Sequence, residues 1–197
     1  MAVPSRHGDD EKRPYEGDSA RPAPLAGLNA DLRRRLDFED GRLLAECEIH
    51  YHRTGGPGGQ HRNKVSTAVR LHHRLSGIIV TGTERRSQQE NRLHALRRLR
   101  EALAVYTRAP LPEKPVWPPT VQISEGRLHV NPHNPAIYHV LGLVLDAVFA
   151  CGGSTRDAAA YFGVTPTSLT RFLAEHPKAW AEANRIRAER GARPLRS

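Results

Sequence analysis

The run Thr54-Gly55-Gly56-Pro57-Gly58-Gly59-Gln60-His61-Arg62-Asn63-Lys64 sets one neutral amide at the end of a nearly bare stretch of backbone. Glycine removes side-chain bulk and admits backbone angles closed to other residues, so such a segment can enter a crowded site. The cations that follow suit phosphate groups. Gln60 offers a carbonyl acceptor and two amide donors to a small reactant, but an amide is no general base near neutral pH. A nucleotide-binding P-loop is excluded, because the glycine-lysine-hydroxyl ending is missing and Gln60 and His61 stand in its place.

The remaining chemistry-bearing residues form no second constellation. His50 and His52 alternate at a strand period, and adjacent His72 and His73 are predicted to face opposite sides, so no zinc set is completed. Cys47 and Cys151 lie far apart in apolar surroundings and read as packed, reduced thiols. No metal and no cofactor is expected. The N-terminus lacks the apolar block of a secretory signal and no run approaches a membrane span, so a cytoplasmic protein without membrane contact is expected.

The net charge of +9 is unevenly spread. Residues 47–109 hold 12 basic and 4 acidic residues, a local net charge of +8 around the glycine run, whereas residues 1–46 carry 8 basic and 10 acidic. A phosphate-rich partner is therefore expected near that loop.

Positioning the loop requires a sheet. Cys47–His52 alternates polar and apolar residues, Ala68–His73 reads as a second strand, and Ser76-Gly77 turns the chain into a third run, Ile78-Ile79-Val80-Thr81. A helix must close that sheet. It is predicted to begin at Ser87, with Glu90 at capping-box spacing and an apolar stripe of Leu93, Leu96, Leu99 and Leu103. Arg92, Arg97, Arg98 and Arg100 lie elsewhere on its circumference, facing solvent or RNA. Arg33-Arg34-Arg35, within a short helix over Asp31–Glu39, also allows a nucleic-acid contact. Prolines stiffen residues 109–120, and a hairpin is predicted about Glu125-Gly126. Helices are expected over Ile137–Ala150, Thr155–Phe162 and Thr167–Ala174, with a last one after Pro177, a helix-turn-helix type of module.

The glycine run continues through Ser66-Thr67-Ala68-Val69-Arg70, Gly77-Ile78-Ile79-Val80 and Arg85-Arg86-Ser87-Gln88-Gln89-Glu90-Asn91-Arg92. Together these resemble the peptidyl-tRNA-hydrolysing domain of class I peptide-chain release factors. In organisation the chain looks closest to short, stand-alone ribosome-rescue hydrolases. The resemblance, over about Ala45–Val105, implies a loop that reaches the peptidyl-transferase centre, where Gly58, Gly59 and Gln60 promote attack of water on the peptidyl-tRNA ester. It implies contacts to ribosomal RNA or tRNA by His61, Arg62, Lys64, Arg85, Arg86, Gln88 and Arg92, and methylation of Gln60. Gln88 and Arg92 either brace the loop or touch RNA. Pro57 and Arg62 depart from the family pattern. The implied partners are the large ribosomal subunit, its 23S-type rRNA and the P-site peptidyl-tRNA.

The expected fold is α+β: a small sheet packed by a helix, an exposed glycine-rich loop, then a separate helix-turn-helix-like module. The domains expected are a leader over 1–40, the hydrolytic domain over 41–108, a proline-rich linker over 109–135, and a helical module with a basic tail over 136–197. The module reads as a packing unit, as a contact to RNA or the small subunit, or as a duplex-DNA contact through Arg156, Arg171, Thr167 and Ser168. Rescue is favoured over codon-dependent termination, because no domain of the size used to read stop codons follows the leader. The alternative function is a noncatalytic RNA- or ribosome-binding translation factor using the same cations.

Overall fold

The computed structural model describes residues 29–52, 67–131 and 133–196. Its centre is an antiparallel three-stranded sheet of β1 (Cys47–His52), β2 (Ala68–His73) and β3 (Ile79–Gly82), in that spatial order. Strand alternation gives the sheet two unlike faces. Val69, Leu71 and Val80 are buried on one, and Glu48 and His50 are exposed on the other. The β2–β3 turn closes through Gly77, whose φ of 67° is the left-handed conformation glycine tolerates.

Helix α3 (Gln88–Tyr106) covers the apolar face. Ser87 caps it, its Oγ accepting the Glu90 N–H at 3.4 Å. Leu96, Leu99 and Leu103 are buried with Ala95 and Ala102. Burying each leucine contributes about 1.5–3 kcal/mol before entropy is subtracted. Leu93 does not join the stripe and is 40% exposed. At about 100° per residue it points roughly 120° away from Leu99. Gly82 lets β3 reach α3: a Cβ there would lie 2.1 Å from the Asn91 carbonyl oxygen.

Two short helices, α1 (Ala30–Arg34) and α2 (Asp40–Ala45), flank a 3-10 turn at Arg35–Asp37. Residues 29–40, read from sequence as the end of a leader, are docked, because Leu32 and Leu36 are buried and the Asn29 N–H donates to the Arg108 carbonyl at 2.6 Å. The proline segment is held over the helical part: Tyr161 Oη donates to the Pro112 carbonyl at 2.8 Å and Trp117 lies 4.8 Å from the Phe162 ring.

The hairpin of β4 (Gln122–Ser124) and β5 (Arg127–His129) turns on Glu125 and Gly126, both at positive φ. Then come α4 (Ile137–Ala150), α5 (Thr155–Phe162), α6 (Pro166–Ala174) and α7 (Pro177–Glu189). Left-handed Gly163 ends α5, and Thr165 caps α6, its hydroxyl accepting the Ser168 N–H at 3.2 Å. One continuous buried cluster runs from Leu36 through the sheet and α3 to Ile186 of α7, so the helical part shares its core with the sheet. The basic tail folds back: Arg187 Nε donates to the Arg193 carbonyl at 2.9 Å and the Leu195 N–H to Asn184 at 2.7 Å. Among the described residues no helix is long and apolar enough to cross a membrane.

Candidate functional site

Gly58, Gly59, Gln60, His61, Arg62 and Lys64 lie outside the described residues. The structure describes the platform from which that segment departs. His52 at the end of β1 pairs with Ala68 at the start of β2, so residues 53–67 leave and rejoin the sheet at neighbouring positions. The two feet are held by strand hydrogen bonds.

Beside the second foot, residues 83–87 link β3 to α3. Arg85 and Arg86 are exposed there, and among the described residues neither side chain makes an ion pair. Exposed Gln88 begins α3, and Arg92 follows one turn later, half-buried. The four cations of the helix then divide. Arg97 is exposed, but Arg98 binds the Thr81 carbonyl and Glu84, and Arg100 binds the Leu36 carbonyl at 3.2 Å, the Phe38 carbonyl at 2.7 Å and Asp40 at 2.8 Å. Those two brace the fold.

Asn91 joins the foot to the basic turn. The residue is fully buried, and its Nδ2 donates to the Thr67 and Arg85 carbonyls, each at 2.8 Å. Its Oδ1 accepts the Arg85 N–H, also at 2.8 Å. Asn91 was read from sequence only as part of a motif. The available signal was a polar residue one turn before Ala95, on the buried side of an otherwise apolar stripe.

The exposed sheet face carries Glu48, His50, His52, Arg70 and His72. Glu48 lies 3.3 Å from His72 Nδ1 and 3.9 Å from His50 Nε2. Burial, followed by the nearby Arg70 charge, lowers the His52 pKa, so the imidazole at the loop's first foot is neutral at neutral pH. Among the described residues no three His, Cys, Asp or Glu side chains converge on a metal position.

On the opposite face, buried His73 sits 2.7 Å from Ser76 Oγ and 2.9 Å from Glu46. The trio has the members of a nucleophilic triad but not the access, since Ser76 is 4% exposed and its Oγ already accepts the Ile78 N–H at 3.2 Å. It locks the β2–β3 turn. Nor is Cys47 a nucleophile: burial and then Glu46 raise its thiol to about 11, and Sγ donates to the Leu43 carbonyl.

The platform offers two adjacent strand ends and, beside them, a pair of exposed arginines without ion pairs among the described residues, where no cluster of metal-ligating side chains occurs either. A family model described as the RF-1 domain matches residues 44–115. Over 67 residues the chain is 45% identical to peptide chain release factor 1 of Chloroherpeton thalassium, covering 34% of this chain and 19% of that relative. Peptide chain release factor 1 of Lacticaseibacillus casei is 39% identical over 101 residues, covering 48% of this chain and 28% of its own length. Peptide chain release factor 2 of Acidithiobacillus ferrooxidans is 35% identical over 92 residues, covering 47% and 25%. The chain thus spans under a third of the length of these relatives. Residues 44–115, with the sheet, the loop feet, the basic turn and α3, match the RF-1 domain and are similar to one part of the class I peptide chain release factors.

Proposed function

We propose that this protein catalyses ribosome-dependent hydrolysis of the peptidyl-tRNA ester by water, releasing peptides from stalled ribosomes. The observation that carries the reading is the glycine run with Gln60, inside the RF-1 match, returning to the sheet beside the exposed Arg85-Arg86 turn. Attack of water on an ester puts negative charge on a tetrahedral oxygen, and a positioned backbone N–H lowers that barrier. The Gln60 N–H supplies that donor, while its side chain orients water and excludes larger nucleophiles. Gly58 and Gly59 give the backbone the clearance to approach. Protons move through substrate hydroxyls, water and RNA, because the amide cannot hold one.

His61, Arg62, Lys64, Arg85, Arg86, Gln88 and Arg92 contact phosphates of ribosomal RNA or tRNA, and Gln60 is a methylation site. The partners are the large subunit, its 23S-type rRNA and the P-site peptidyl-tRNA. The helices α4–α7 steer the domain through the small subunit or RNA. The protein acts in the cytoplasm, where such complexes form.

The test uses purified ribosomes carrying a P-site peptidyl-tRNA. Wild type releases peptide, and Gln60→Ala or Gly59→Ala lowers release by about 10²-fold or more while ribosome association persists. Binding without release, under conditions where a control factor is active, would sink the hydrolase. Empty-A-site, stop-codon and truncated-message complexes are then compared. Rescue predicts release without a stop codon, and strict stop-codon dependence defeats it.

A further inference from the structure

We infer that Asn91 is a positioning residue for this reaction, holding the returning foot of the glycine loop and the Arg85-Arg86 turn in one fixed relation. The inference rests on the hydrolase reading for its catalytic consequence and on geometry for its mechanism. The last ladder pair between β2 and β3 is Val69 with Gly82. Beyond it the chain runs back toward the loop at Thr67 and forward into the basic turn at Arg85. There Asn91 replaces the ladder: its two amide hydrogens reach one carbonyl on each segment, and its oxygen takes the Arg85 N–H.

An amide is suited to this place. It supplies two donors and an acceptor without charge, so its burial is compensated on every polar atom. Leucine would leave the Thr67 and Arg85 groups without these partners, and aspartate would oppose two carbonyls with a carboxylate. Position and direction are set by the backbone of α3, because Gly82 packs directly on the Asn91 carbonyl. A rigid helix thus fixes both the base of the loop and the cations beside it. A loop that must bring one N–H to an oxyanion is sensitive to such a shift, since displacement of about 1 Å far from the chemistry can cost about 10²-fold.

The full chain tests this in two arms, with Leu99→Ala as the control for lost stability on the same helix. In the first arm, amide exchange is followed in the free protein. The Arg85 amide is protected in wild type and Leu99→Ala and exposed in Asn91→Ala, while Asn91→Asp keeps it protected because an acceptor remains. In the second arm, single-turnover release is measured against factor concentration on ribosomes with a P-site peptidyl-tRNA. Asn91→Ala and Asn91→Asp lower the rate at saturation by about 10- to 100-fold with little change in half-saturation, whereas Leu99→Ala at comparable Tm loss does not. An unchanged Arg85 amide in Asn91→Ala, or a release loss matched by Leu99→Ala, overturns the inference. A wild type that releases no peptide overturns the hydrolase reading and the catalytic role with it, while the exchange arm still decides whether the clamp exists.

Discussion

Arg33 donates to the Asp146 carboxylate at 2.7 Å, joining α1 to α4 across 113 positions of the chain. The same guanidinium donates to the Ala104 and Thr107 carbonyls at 2.9 and 2.7 Å, where α3 ends and its last carbonyls lack helical partners. Asp146 also receives Arg108 at 3.3 Å and the Ala109 N–H at 3.1 Å. Burial lowers the Arg108 pKa to about 10, opposed by the Asp146 charge, so Arg108 stays a cation at neutral pH. The helix beneath the proposed catalytic platform is therefore clasped at its far end by charges from three other segments.

The clasp depends on Gly142. A Cβ there would lie 1.8 Å from Arg33 Nη1, so Gly142→Ala expels the guanidinium. Arg33→Ala is expected to cost about 2–4 kcal/mol, less than a stranded charge would, because Asp146 keeps Arg108. Lysine should not rescue, since one ammonium cannot reach the same set of acceptors. In urea unfolding, the two alanine substitutions combined should cost little more than Arg33→Ala alone. Additive losses would show that the glycine and the arginine act independently.

This clasp also marks where reading the sequence stops. Periods of two and of three to four residues revealed β1, β2, α4 and α5 within a residue of their ends, because those periods reflect local burial. Arg33-Arg34-Arg35 reads as one basic patch, yet Arg33 is half-buried on Asp146, Arg34 is exposed, and Arg35 reaches Glu46 at 3.2 Å. Successive helical side chains diverge by about 100°, and nothing local says which acceptors will arrive from 113 residues away. Asn91 was hidden for the same reason: its partners at Thr67 and Arg85 are neighbours only once the sheet exists. The glycine run was legible because its chemistry is carried by composition and order within one segment.

Gly82→Ala should be among the most damaging small substitutions in the domain. Its Cβ would meet the Asn91 carbonyl oxygen at 2.1 Å and the Ala95 nitrogen at 3.1 Å, and both are backbone atoms that cannot rotate away. Separating β3 from α3 is expected to cost about 1–3 kcal/mol or more. It should also weaken the Asn91 clamp, seen as faster exchange at the Arg85 amide. A Tm within a degree of wild type would refute the close-approach argument.

Acid should destabilise the fold in two stages. Burial lowers the His73 pKa, outweighing the pull of Glu46, so the folded state favours the neutral ring. Between the folded and unfolded values the unfolded chain binds the extra proton, so this stability is present above about pH 6.5 and is lost as pH falls below it. His52 and His176 shift the same way and add to the slope. Glu46 is held below its ordinary range because His73 and Arg35 together outweigh its burial, so its contribution is lost at lower pH, as it too becomes protonated. Urea midpoints measured from pH 7.5 to 5.5 should fall, and His73→Gln should flatten that fall. An unchanged slope in the variant would rule out His73 as its main source.

Exposed and committed arginines should separate cleanly in binding experiments. Arg85 and Arg86 make no ion pair among the described residues, so replacing both with alanine should leave Tm nearly unchanged. If each neutralises one RNA phosphate, the slope of log affinity for ribosomes against log salt should fall by about one unit per arginine. Release at saturating factor should change little, because these residues hold the RNA and do not touch the ester. Arg98→Ala should do the reverse: Arg98 ties α3 to the Thr81 carbonyl and Glu84, so Tm should drop while the salt slope is kept. A salt slope that Arg98→Ala reduces as much as the Arg85/Arg86 pair does would place the RNA contact along α3, away from the turn at its start.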